Sequence, residues 1–111
     1  MAIKYSEKIF DNIAVAPTED KIVPIVNGEC LQLCITGTAT SFKLKVYAQT
    51  NNDEEFLSVA AISDKDFMIN NPITTTGLFK VDVSCFLRVK LVVEELQEGT
   101  LSCSGQVVSM Q

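Results

Sequence analysis

G-L-F-K-V-D-V-S-C-F-L-R-V-K-L-V-V-E-E-L-Q-E-G-T-L-S-C-S-G, running from Gly77 to Gly105, is the stretch that decides the fold. It holds three alternating segments separated by short polar breaks, the pattern of an antiparallel β-sheet. Gly77–Val83 presents Phe79, Val81 and Val83 on one side. Phe86–Glu94 presents Leu87, Val89, Leu91 and Val93, and Glu95–Gly99 makes a charged turn. Thr100–Val108 turns Leu101, Cys103 and Val107 inward and Thr100, Ser102 and Ser104 outward, with Cys85 also expected on the inward face. The stretch contains no set of residues that performs chemistry, which points to a function in surfaces and assembly.

The same period of two continues upstream. Lys21–Val26 is a strand, and Pro24 marks it as an edge because proline cannot donate to a ladder. Asn27-Gly28 is a turn. Cys30–Thr36 sets Leu31, Leu33 and Ile35 against Cys30, Gln32, Cys34 and Thr36, and Gly37 breaks it. Phe42–Gln49 points Phe42, Leu44, Val46 and Ala48 inward. A hairpin loop at 50–54 leads to a strand over Glu55–Ile62, with Leu57, Val59 and Ala61 on one face. After a turn at Ser63–Lys65, Phe67–Ile69 reads as a short strand and Asn70–Thr76 as a polar segment. About eight strands at roughly 8–12-residue spacing predict an all-β fold, a single antiparallel β-sandwich over residues 21–111. Residues 1–20 form an N-terminal arm. Tyr5, Ile9, Phe10 and Ile13 recur at near-helical spacing, so one or two helical turns are expected around Ser6–Asp11. Ile13–Ala16 looks extended, and Pro17–Asp20 is a turn. The arm either packs on its own sandwich or docks on a neighbour; an apolar terminus is costly to leave exposed, and both readings stand at this point.

At 111 residues the chain is one domain with enough length to build its own core. Apolar residues make up 47% and charged residues 21%, a globular composition. A net charge of −5 with nine Lys and Arg is the opposite of the basic balance that nucleic-acid binding needs. No apolar run approaches the ~18 residues of a membrane helix. Met1–Lys8 holds no apolar core of a signal peptide, so synthesis in the cytoplasm is expected. The four cysteines are read as free thiols. Cys30 and Cys34 on one strand would sit ~13 Å apart, beyond the reach of a disulfide. The spacing also fits zinc poorly, and small buried thiols are common in cores.

The chain has no histidine, so the usual general base is missing and Ser-His-Asp or Cys-His arrangements are excluded. No glycine-rich phosphate loop is present. The absence of tryptophan weakens a sugar-stacking reading. Three acidic clusters remain: Asp53-Glu54-Glu55, Asp64 with Asp66, and Glu94-Glu95 with Glu98. Asn51 and Asp53 would supply only some of the six to eight oxygens that calcium takes. These clusters read as solvated hairpin tips. No enzyme activity, cofactor or metal is expected.

Several pieces have a family look: Ile35-Thr36-Gly37-Thr38, Phe42–Tyr47, Thr74–Val83, Leu87-Arg88-Val89 and Gly99–Gly105. Through them the chain, from Val26 to Val108, resembles a type of small phage virion protein with a β-sandwich fold. It departs from that type in the hairpin, where Asn51-Asn52-Asp53-Glu54-Glu55-Phe56 keeps only the aromatic position, Phe56. The resemblance implies a structural part of a phage or phage-derived particle. The favoured role is an accessory capsid or head protein, of decoration or head-fibre type, made in the host cytoplasm and located in the virion. Its partners would be other virion proteins and copies of itself, with no nucleic acid and no membrane. No catalytic residues are implied.

Under this reading Tyr5, Ile9 and Phe10 of the arm and the outward residues Tyr47, Phe86 and Val92 are the candidate interface. Phe86 and Val92 have a second reading, cover by their own sandwich. The alternative function is a tail or baseplate module that binds a host glycan or receptor through the loops Thr50–Glu55 and Asn70–Thr76.

Overall fold

The structure, a computed structural model, describes residues 2–26, 28–51 and 55–109. It has ten strands among these residues and no helix. In chain order they are β1 (Ala2–Ile13), β2 (Lys21–Pro24), β3 (Cys30–Gly37), β4 (Ser41–Gln49), β5 (Leu57–Val59), β6 (Ala61–Ser63), β7 (Ile69–Asn70), β8 (Gly77–Asp82), β9 (Arg88–Gln97) and β10 (Leu101–Ser109). Two antiparallel sheets form. The larger runs β1-β10-β3-β8-β6-β7, and the smaller runs β2-β9-β4-β5. β2 is an edge strand, as Pro24 requires, and among the described residues it pairs with β9 alone.

The inward residues of the two sheets make the core. Leu31, Leu33 and Ile35 of β3, Phe79 and Val81 of β8, and Leu101, Cys103 and Val107 of β10 are buried from the large sheet. Val23, Phe42, Leu44, Val46, Val89, Leu91 and Val93 meet them from the small one. Each large aliphatic buried in this way contributes about 1.5–3 kcal/mol relative to exposure. The alternation read from sequence therefore maps onto a real interior along β3, β4, β8, β9 and β10.

The N-terminal segment departs from expectation. Residues 2–13 are a strand, not helical turns, and they pair with β10 from Ala2↔Ser109 to Ile13↔Leu101. The register shifts between Ile3 and Tyr5, between Lys8 and Phe10, and between Phe10 and Ile13. A regular strand sends successive side chains to opposite faces. A bulge inserts an extra residue and lets neighbours share a face. That is how Ile9 and Phe10, adjacent in sequence, are both buried in the core. The near-helical spacing of Tyr5, Ile9, Phe10 and Ile13 is the imprint of bulges.

Two further differences follow the chain. The strand expected over Glu55–Ile62 is split at Ala60: β5 pairs with β4 in the small sheet, and β6 pairs with β7 and β8 in the large one. The segment crosses the sandwich edge, and alternation carries no signal of such a crossing. Before β9, Leu87 is partly exposed and Cys85 is exposed, so neither takes the inward place expected of it.

The β3–β4 and β9–β10 turns are tied together at one end. The N–H groups of Thr38 and Ala39 donate to the Thr100 carbonyl at 2.9 and 3.0 Å, and the Thr100 N–H donates to Thr38 Oγ1 at 3.1 Å. Gly37 and Gly99 face this contact with φ of 141° and 137°. A Cβ on Gly37 would stand 2.2 Å from the Thr100 carbonyl oxygen, and one on Gly99 2.6 Å from the backbone of Thr38. Only glycine supplies both the dihedral and the space. The two Gly-Thr pairs seen separately in sequence are thus one structural joint.

Candidate interaction surfaces

The candidate interface residues fall into three groups. Ile9 and Phe10 are core residues of their own domain and have no surface to offer a neighbour. Their apolar character is already spent on the bulged β1–β10 pairing. Tyr5 and Phe86 are half-buried and pack against the same core. The Tyr5 hydroxyl donates to the Glu7 carboxylate. Burial, helped by that carboxylate, pushes the Tyr5 pKa up to about 12. Tyr47 and Val92 lie on the outer face of the small sheet and are half-buried.

Tyr47 is engaged by its own chain. It pairs with Lys90, and β2 brings Ile22 to the other side of that lysine. The Lys90 ammonium stands 5.2 Å from the Tyr47 ring centre and 4.8 Å from that of Phe56. Asp20 Oδ2 lies 3.8 Å from the same nitrogen. An ammonium over aromatic faces is attracted by their quadrupoles. Phe56, the aromatic position kept in the hairpin, thus serves a clamp on Lys90.

Of the two loops in the alternative reading, Asn52–Glu54 lie outside the described residues. Thr50, Asn51 and Glu55 are exposed. The other loop is anchored in the fold. Ile73 is buried and forms a two-way bridge with Leu44, at 2.9 and 2.8 Å. Asn71 exchanges hydrogen bonds with the Ser58 hydroxyl, its Nδ2 donating at 2.9 Å.

The outer face of the large sheet carries a continuous cross-strand row, Ser6–Gln106–Gln32–Lys80–Ile62–Ile69. It is polar at the β1 edge and apolar at the β7 edge. Two shallow grooves flank it. One, of about 270 Å³, is lined by Ser6, Gln32, Cys34, Leu78 and Gln106 among others. The other, of about 380 Å³, is lined by Glu29, Cys30, Ile62, Lys80, Asp82 and Ser84. Burial raises the Cys30 pKa. The Ser84 N–H and hydroxyl hold the Asp82 carboxyl below its ordinary value. The four thiols are free, and burial pushes Cys103 up to about 12. Among the described residues no three His, Cys, Asp or Glu side chains gather where they could hold a metal ion.

Sequence reading missed a group of exposed apolar side chains. The β6–β7 hairpin exposes Phe67, Met68 and Ile69 at 79%, 62% and 72%, with Ile62 and Leu78 beside them at 45% and 55%. Its turn is tightly bonded. The Phe67 N–H donates to the Ser63 carbonyl at 2.9 Å, the Ser63 N–H to the Met68 carbonyl at 3.0 Å, and the Met68 N–H to Asp66 Oδ1 at 3.1 Å. The turn holds Phe67 at φ 59°, a region that bulky residues rarely occupy. The available signal was three consecutive apolar residues, which a period-two strand cannot place on one face.

No protein-family model matches the chain, and no curated protein matches it in sequence. Solved structures do match its fold. The SPBc2 prophage-derived protein YomS superposes with a TM-score of 0.82 at 20% identity, over 95% of this chain and 92% of that one. The PBSX exported protein XepA superposes with a TM-score of 0.83 at 20% identity, over 98% of this chain but only 39% of that one. The β-sandwich described above is therefore a fold that this chain shares almost end to end with YomS and with a part of the longer XepA.

Proposed function

We propose that this chain is a structural component of a phage or phage-derived particle, an accessory protein of the capsid or head. It acts through contacts with other particle proteins and with its own copies, and it is not an enzyme. The observation that carries the reading is the whole-length fold match to a prophage-derived protein, with a second match to a protein of another phage-like element. The exposed apolar surface on the β6–β7 hairpin supports it, because surfaces of that kind mark contact sites.

A second reading, a tail or baseplate module that contacts the host surface, draws on one observation. The fold matches only 39% of XepA, so a sandwich of this kind also occurs within a longer chain. The deciding experiment is purification of the particles made by the element that encodes this chain, followed by peptide mass spectrometry and immunogold labelling. Label distributed over the head would support the first reading, and label at the tail tip the second. Particles free of the chain would overturn both.

A further inference from the structure

We infer that the β6–β7 hairpin face docks onto a positively charged protein surface that offers an apolar recess. The inference rests on the assembly reading above and names the chemistry of the partner.

Ile62 and Ile69 are a cross-strand pair, and Leu78 stands diagonal to Ile62 across the β6–β8 pairing. Phe67 and Met68 continue this apolar surface at the tip. Five large side chains exposed to this degree amount to roughly 600 Å² of apolar area, the upper end of what a lone soluble domain leaves in water. The turn holds Phe67 in a left-handed conformation that glycine would adopt more easily. An aromatic side chain held there suits a contact residue. Edge-to-edge strand pairing is not the mode, because β7 is two residues long and is followed by Pro72.

The charge beside this surface selects the occupant. Its rim carries four carboxylates, Glu29, Asp64, Asp66 and Asp82, against the two ammonium groups of Lys65 and Lys80, which leaves a net −2. Lys80 is committed to Asp64 at 3.6 Å. Among the described residues no cation stands within ion-pair distance of Glu29, Asp66 or Asp82. Glu29 and Asp82 line the same groove as Ile62, so the acidic wall and the apolar surface are contiguous. The Ser84 N–H and hydroxyl both donate to Asp82 Oδ1, at 3.1 and 2.8 Å, and fix that carboxylate at the groove wall. A rim of this sign repels nucleic acid, anionic lipid and a like-charged chain, and it attracts lysine and arginine. A partner's basic side chain entering this groove would meet the Glu29 and Asp82 carboxylates and lay its apolar stem against Ile62. Its neighbouring recess would take Phe67 and Met68.

The test is photo-crosslinking in cells where the encoding element is induced, using the full chain with benzoylphenylalanine in place of Met68. Mass spectrometry identifies what is attached. The expected adduct is a protein other than this chain, joined through a peptide of net positive charge. Phe67→Ser in the same chain should lower the adduct yield at least about tenfold, as loss of a central apolar anchor does. Glu29→Lys and Asp82→Lys should each lower it severalfold, and Lys65→Glu should raise it, because the rim loses or gains negative charge. Tyr47→Ser, on the other sheet, should change it by less than about twofold. Phe67→Gly separates contact from folding, since it should keep or raise the thermal midpoint while losing the adduct. The absence of any adduct overturns the inference. So does an adduct to a second copy of this chain, to lipid, or to a peptide of neutral or negative charge. A yield that ignores Phe67→Ser, or that falls with Lys65→Glu, overturns it as well. These results are independent of particle content. A chain that crosslinks to a cationic surface yet is absent from particles would overturn the proposed function alone. A chain found in particles without such an adduct would overturn this inference alone.

Discussion

Gly37 and Gly99 are the residues where a single methyl group is expected to cost most. Both sit at φ near 140°, and the atoms a Cβ would meet are backbone, which cannot rotate away. Gly99→Ala should destabilise the fold by on the order of 2–3 kcal/mol. Thermal denaturation would show this as a fall of about 10 °C in Tm. An unchanged Tm would mean that the Thr38–Thr100 joint yields easily. Cys103 gives a second expectation at this scale. Its folded pKa, pushed up by burial, is about 12 against an ordinary 9.0. Below pH 9 both folded and unfolded chains hold the proton, and the full contribution is present. Between pH 9 and 12 the unfolded chain releases the proton and the folded chain does not, so stability falls as pH rises. Tyr5, raised by burial and by Glu7, adds a weaker decline of the same sign above pH 10. Urea denaturation should show a loss beginning near pH 9 in the wild type that is smaller in Cys103→Ala, where only Cys30, also raised by burial, and Tyr5 remain to contribute. Equal slopes in the two proteins would rule out Cys103 as the cause. The inward place of Cys103 was legible from its alternation with Leu101 and Val107. The exposure of Cys85 was not, because it sits in a turn where the period of two has already ended.

β1 is the element that most changes the picture drawn from sequence. It lies along the whole of β10 and adds Ile9 and Phe10 to the core. Ile9 Cδ1 fills the place where a Cβ on Gly105 would stand, 2.5 Å away. Removing residues 1–16 would strip β10 of a partner and open the core at once, so loss of the cooperative thermal transition is expected. Phe10→Ala alone should cost about 3–5 kcal/mol and Ile9→Ala about 2–5 kcal/mol, measured by urea denaturation. A truncated chain that still melts cooperatively near the wild-type Tm would show that β1 is dispensable to the domain. The bulges also protect an edge: three register shifts and the charged pair Lys8–Asp11, at 3.2 Å, make β1 a poor template for another strand. Bulges are what made β1 illegible, because they disrupt the period that announces a strand. The split between β5 and β6 was illegible for a different reason. Leu57, Val59 and Ala61 alternate smoothly, yet the chain changes sheet at Ala60, and hydrophobic alternation says which side faces in without saying which sheet a strand joins.

For the whole molecule, a sandwich was legible from the repeated strand-and-turn grammar, while the pairing order was not. The pairings β1–β10, β3–β10, β3–β8 and β2–β9 join segments far apart in sequence, and no local signal specifies them. The candidate surface suffered similarly: Phe67 to Ile69 read as a strand because nothing local reports that the large sheet ends there. The topology makes one demand that can be checked without any partner. Ala2 is paired with Ser109, so the two ends of the sandwich lie side by side in the sheet. A short Gly-Ser linker from Gln111 to Met1, with new termini opened between Thr18 and Glu19 in the exposed turn before β2, would turn β10 and β1 into a local hairpin. This permuted chain should keep a cooperative transition within a few degrees of the wild-type Tm, since termini and exposed turns tolerate such changes. It should also refold faster, because the longest-range pairing has become the shortest. Stopped-flow refolding measures the rate and calorimetry the transition. If β1 instead completes the sheet of a neighbour, the linker would tether it away from that place, and the permuted chain would lose both its transition and its native mass. That outcome would return the arm to the surface and remove Ile9 and Phe10 from the core of their own chain.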